Sequence, residues 1–235
     1  MRHVREALSD QDRAEIERAI AAAESVTSAE IVVAFAGRSG RYQRASDLFG
    51  LALALAAVAA AWVIWQSQRP NPADWGGGFV PSLGLGWILV IFAAWLLIGA
   101  MVADSWPALA RPFMTRAERL AAVRRRGFEA FHALRVGRTR DATGLLIFAS
   151  LLERTVWVCP DSGIASRLGA GEAVWRPVSD LVAAGFRDGR PGPAIADAIR
   201  EAGTILAVPF PPGPADANEL TNQVRFVDDR AERRP

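Results

Sequence analysis

Two uncharged apolar runs constrain this chain more than any other feature. Residues 48–65 read LFGLALALAAVAAAWVIW and residues 83–103 read LGLGWILVIFAAWLLIGAMVA, without one charged side chain in either. Each approaches the roughly 20 residues that a helix needs to cross about 30 Å of hydrocarbon. A buried helix of a water-soluble core carries polar residues along one side, and these carry none. The pattern predicts a membrane-inserted helical hairpin with spans over about 48–66 and 83–103. Trp62, Trp65, Trp75 and Trp87 stand near the ends that face the connecting loop. Indole rings favour that level of a bilayer, where one side is apolar and the other wet.

The flanks set an orientation. Arg38, Arg41 and Arg44 precede the first run, and Arg111, Arg116, Arg119, Arg124, Arg125 and Arg126 follow the second. The loop between, with Pro70, Pro72 and Gly76 to Gly78, holds one Arg (Arg69) and one Asp (Asp74). An arginine excess marks the cytoplasmic side, so the expectation is a two-pass protein of the cell (inner) membrane with both termini cytoplasmic. The first twenty residues are charged and lack an apolar segment, which predicts that the first span acts as an uncleaved anchor. No ionisable group lies inside either span, whereas ion and proton pathways are built from such groups. The pair reads as an anchor.

The remainder reads as a water-soluble protein. Ser9 and Asp12 have the spacing of a capping box, and Ile16, Ile20 and Ala23 follow at helical intervals, predicting a helix over 10–24. Residues 30–36, EIVVAFA, form the near-continuous apolar run of a strand buried on both faces. One helix and one strand cannot close a core, so the partners must come after the hairpin, which an even number of crossings permits. Thr115 and Glu118 suggest a second capping box, leading a helix with Leu120, Val123, Phe128, Phe131 and Leu134 on its apolar side. GLLIFAS (144–150) and RTVWVC (154–159) predict a β-hairpin, ended by a turn at Pro160 to Gly163. Helices follow over about 175–186, with Pro177 in the first turn, and from Pro193, where Ile195, Ile199 and Ile205 repeat. Beyond Pro209 to Pro214 only residues 224–227 have strand character. The expected fold class is α/β: a mixed sheet flanked by helices on both faces and interrupted by a transmembrane α-hairpin. One domain is split into 1–45 and 105–210 around the insert at 46–104, with a polar tail at 211–235.

Composition removes several chemistries. All 27 Lys and Arg residues are Arg, so neither a Schiff-base lysine nor a P-loop lysine exists. The two histidines, His3 and His132, exclude a His-rich zinc site, and no nucleophile elbow accompanies His132. A net charge of +2 and no zinc-finger or RNA-binding signature argue against nucleic acid. The single cysteine, Cys159, precludes an intrachain disulfide and reads as a small core residue at a strand end.

Three acidic residues are candidates for holding Ca²⁺ or Mg²⁺: Glu30, Asp141 and Asp161. Hard cations take several loop oxygens, and Asp141 and Asp161 flank the predicted hairpin at one sheet edge. The same positions suit aspartates that merely cap turns. Arg119, Arg124, Arg125 and Arg126 form either a solvated helix face or a surface for an anionic leaflet, where each guanidinium gains roughly 1 kcal/mol. No catalytic residue and no organic cofactor site is identified.

Residues 27–39 (TSAEIVVAFAGRS), 138–164 (RTRDATGLLIFASLLERTVWVCPDSGI) and 181–206 (LVAAGFRDGRPGPAIADAIREAGTIL) together resemble the TPM domain family. The family is named for a thylakoid lumen protein, a photosystem II repair protein and a nematode acetylcholine-receptor modulator. Asn218, Glu219, Leu220 and Asn222 also look like the C-terminal motif of small bacterial membrane proteins that carry this domain around an inserted hairpin. Here the turn after the second hairpin strand, from Cys159 to Ile164, is poorer in Gly than the family's. The resemblance implies two function classes. One is a non-catalytic interaction, assembly or repair factor at the inner membrane face, whose partners are the bilayer and another membrane protein or complex. The other is a divalent-metal-dependent phosphatase-like hydrolase.

Overall fold

The computed structural model describes residues 8–67, 83–169, 171–213 and 219–227. The connecting loop with Arg69, Asp74 and Trp75 lies outside the described residues, as do His3 and Asn218. The chain divides into two compact units, Met1–Gly40 with Arg116–Pro235 and Arg41–Thr115. The insert is therefore wider than the 46–104 expected.

The first unit opens with α1 (Asp10–Glu24) and β1 (Glu30–Ala36). The capping box forms as expected: Asp12 N donates to Ser9 Oγ at 3.1 Å, and Ser9 N donates back to Asp12 Oδ2 at 2.9 Å. Ile16, Ala19, Ile20 and Ala23 make the buried stripe of α1. After the insert come α5 (Arg116–Ala133), β2 (Gly144–Ser150), β3 (Thr155–Pro160), α6 (Ser162–Leu168), α7 (Glu172–Arg187), α8 (Pro191–Ala207) and β4 (Arg225–Val227). Among the described residues the sheet has four strands in the order β3-β2-β1-β4. β1 lies parallel to β2, from Glu30 opposite Gly144 to Ala36 opposite Ser150. β4 adds in parallel to the other edge of β1 at Ala34–Ala36, and β3 runs antiparallel to β2.

Alternation along the strands divides the core in two. Ile31, Val33, Phe35, Leu145, Ile147 and Ala149 pack with α1, α7 and α8. Val32, Ala34, Leu146, Phe148 and Cys159 pack with Val123, Ala130 and Phe131 of α5. All seven residues of β1 and all seven of β2 are buried, which is why both read as near-continuous apolar runs. The fold is the expected α/β class, with helices on both faces of a mixed sheet.

Several local expectations change. The turn after β3 is the start of the short helix α6, N-capped by Asp161. α7 begins at Glu172, so Pro177 sits in its second turn. That is tolerated because Ala173, whose carbonyl loses its partner, and Pro177 are both exposed to water. α8 opens at Pro191 rather than Pro193. Phe128 is 53% exposed and stacks on Trp157 of β3 with ring centroids 5.6 Å apart, instead of entering the core.

The second unit holds α2 (Gln43–Ser67), α3 (Leu85–Ser105) and the short α4 (Pro107–Ala110), followed by a 3-10 turn at Arg111–Phe113. Two helices, Gln43–Gln66 and Leu85–Ser105, are long and apolar enough to cross a membrane. Their outward surfaces are apolar: Leu55, Val63, Ile64, Leu89, Val90, Leu97 and Met101 are all exposed. They pack on small residues, with Gly50 of α2 against Gly99 and Ala100 of α3. Side chains this small let two helices approach until their backbones touch.

Candidate functional site at the shared strand ends

β1 and β2 begin, and β3 ends, at one end of the sheet. Glu30 N donates to Thr143 O at 3.1 Å, and Asp161 N donates to Gly144 O at 2.8 Å. Asp141 and Asp161 thus flank one strand end, as their spacing suggests. The 141–142 loop touches the first turn of α6, where Gly163 N donates to Ala142 O at 2.9 Å. Only glycine fits there: a Cβ on Gly163 would stand 2.5 Å from Asp141 O.

The three acidic side chains have separate tasks. Asp161 Oδ1 accepts from Ser162 N at 2.6 Å and caps α6, while its Oδ2 is buried with no hydrogen-bond partner among the described residues. Asp141 is exposed and lies 3.6 Å from Arg140 Nε. Glu30 turns toward the C-terminal segment: its Oε1 accepts from Glu219 N at 3.1 Å and its Oε2 from Leu220 N at 3.2 Å. Among the described residues no three His, Cys, Asp or Glu side chains come together to hold a metal ion. Ca²⁺ takes six to eight oxygens and Mg²⁺ about six. One orphaned carboxylate oxygen on Asp161 falls well short, so the expected trio does not fit a divalent cation.

Cys159 ends β3 beside this loop. Burial, and next the nearby Asp161 carboxylate, push its thiol from 9.0 up to about 11. It is protonated at neutral pH and a poor nucleophile.

The arginines also separate. Arg126 is buried, and its guanidinium donates to Glu129 Oε2 at 2.8 Å, so it belongs to the packing of α5 and not to a surface. Arg124 is half-exposed and paired with Glu172 of α7. Arg119 is half-buried, with its Nε enclosed and unpartnered among the described residues. Arg125 is exposed. The expected four-arginine surface contracts accordingly.

Two polar clusters have no counterpart in the sequence reading. Glu24, at the end of α1, accepts from Ile31 N at 2.9 Å with one oxygen and from Asn222 Nδ2 at 2.7 Å with the other. With Glu30 it fastens the segment 219–227 along the outer edge of β1. At the opposite end of the sheet, Ser39 N donates to Glu153 Oε1 at 2.9 Å and Ser39 Oγ to Ser150 Oγ at 2.7 Å. Ser150 Oγ donates to Glu153 Oε2, and all three residues are buried. Neither cluster has a local signature. The acidic residues are visible in the sequence, but their partners lie far away along it.

No family model matches the chain, and no curated protein matches it. Among solved structures it is similar to the NMR structure of the BA42 protein from the psychrophilic bacterium Bizionia argentinensis. The TM-score is 0.53 at 18% identity, over 94% of this chain and 95% of that one. At that identity the likeness concerns the fold alone.

Proposed function

We propose that this chain is a membrane-anchored, TPM-like interaction module that helps assemble or repair another membrane protein or complex at the inner face of the cell membrane. The observation that carries the reading is the closure of one sheet across two apolar helices: β1 precedes them, β2 follows them, and the two strands pair in parallel over seven residues. Strands that must pair in water come from chain ends on one side of a bilayer, which an even number of crossings supplies. The arginine-rich flanks support a cytoplasmic location for that side. Two of the three acidic residues that a metal-dependent hydrolase would use, Asp161 and Glu30, are engaged in capping α6 and in fastening the C-terminal segment, which favours the non-catalytic class.

The test is a pair of fusions and one assay. A reporter active only outside the cytoplasm works when fused after Ser82 and fails after Pro235; the reverse result overturns the anchoring. Purified full-length protein releases no phosphate from a chromogenic phosphomonoester with Mg²⁺ or Ca²⁺. Turnover that a chelator or the Asp141→Asn/Asp161→Asn double variant abolishes would establish the hydrolase instead.

A further inference from the structure

The outer edge of β1 is finished by parts from elsewhere in the chain. Glu30 N points to β2, so the N–H groups of alternate residues point away from it. The first of these, on Ile31, is taken by the Glu24 side chain, and at Ala34–Ala36 the edge is covered by β4. Residues 219–227 supply further bonds at this edge. Two consecutive backbone N–H groups, on Glu219 and Leu220, enter the two oxygens of Glu30. The Asn222 amide enters Glu24. Glu219 Oε2 accepts from Arg140 N at 2.8 Å. Phe226 lies 6.1 Å from Phe35 and beneath the Arg13 guanidinium, while Leu220 and Val227 join the core on the α5 side. These are the components of strand addition: main-chain bonds to a sheet edge, with side chains entering pockets on both faces.

We infer that the β1 edge is a strand-docking site, filled by the chain's own segment 219–227, and that the same segment of a second copy docks there in exchange. The donor strand is complementary to the site because it is the strand seen there, so a swapped pair gains in trans every bond lost in cis. Pro211 and Pro212 precede the segment in the sequence, and proline's fixed φ stiffens the chain at those positions. Fully extended, the eight residues 211–218 span at most about 26–29 Å. The inference stands apart from the anchoring and holds whether or not the helices cross a bilayer.

The experiment uses full-length protein in detergent with a protease site placed between Gly213 and Glu219. After cleavage of the folded protein, a fluorescent peptide of residues 219–227 replaces the severed segment saturably. Glu30→Gln weakens the peptide by about tenfold or more, because the amide opposes one backbone N–H with a donor of its own. In parallel, two differently tagged copies, Ala36→Cys in one and Val227→Cys in the other, both carrying Cys159→Ala, are joined by a short bis-maleimide. A copy carrying both cysteines controls for folding and reach. Linkage between tags supports exchange. A labelled peptide that never enters the cleaved protein overturns the docking site. Peptide entry with linkage only inside the control copy overturns the second copy as its occupant.

Discussion

Gly50 of α2 and Gly99 of α3 meet backbone to backbone: a Cβ on Gly99 would stand 2.6 Å from Gly50 Cα, and one on Gly50 would stand 2.6 Å from Leu96 O. The atoms in the way are main chain, so neither helix can yield locally. Gly99→Val therefore forces the pair apart and destabilises the full-length protein in micelles by about 1–3 kcal/mol, the usual effect of overpacking. Gly86→Ala, where a Cβ meets nothing within 4 Å, leaves the midpoint unchanged. Equal midpoints for Gly99→Val and wild type in detergent thermal unfolding would refute the close approach.

Glu153 accepts from both Ser39 N and Ser150 Oγ, and all three residues are buried. Glu153→Ala orphans those donors, and each buried unsatisfied group costs about 1–3 kcal/mol. We expect a loss of roughly 2–5 kcal/mol on that basis. Asp180→Ala removes an exposed pair with Arg176 and shifts stability by less than about 0.5 kcal/mol. Denaturant titration of both variants compares them directly.

The Cys159 thiol gives stability a pH dependence of known sign. Its pKa is raised to about 11 in the fold from the ordinary 9.0. Below 9.0 both folded and unfolded chains hold the proton, and the stability is fully present. Above that the unfolded chain releases it first, so stability falls as pH rises from about 9 to 11. Cys159→Ala should flatten that part of the pH profile. An unchanged slope between wild type and variant would remove the thiol from the account. A maleimide reagent at neutral pH should label the folded protein only slowly.

Replacing residues 41–115 by a flexible linker of about ten residues should leave a soluble domain with one cooperative thermal transition, since both cores are built outside that segment. Calorimetry or circular dichroism without a sharp transition would mean that the sheet depends on the inserted helices.

The sequence exposes what depends on neighbours along the chain. Ser9 with Asp12, the six apolar residues of β1 after Glu30, and the two uncharged runs each carry their cause within a few positions. Two departures from the expected pattern also have local causes. Arg126 stands three residues after Val123 and four before Ala130, inside the buried stripe of α5, so the run of three arginines had to turn one inward. Asp161 followed by Ser162 is an N-cap as well as a turn, and α6 was hidden by that ambiguity. The two fastenings of the sheet were not readable. Glu30 meets residues 189 and 190 positions away, and Ser39 meets Glu153 114 positions away. No periodicity spans such intervals; only the closed topology brings those carboxylates to their donors.

The parallel pairing of β1 with β2 also dictates an order of assembly. β1 leaves the ribosome with six apolar residues after Glu30 and must wait for residues 37–143 before its partner exists. Closing so long a loop slows folding and leaves the strand open to misassociation. Once α2 and α3 pair, however, residues 43 and 105 become neighbours at one end of the hairpin, and the effective loop shrinks by more than half. Each halving lowers the closure entropy by about 0.6 kcal/mol. An apolar pair formed ahead of the sheet would thus act as a folding bracket that shortens the search of β1 for β2.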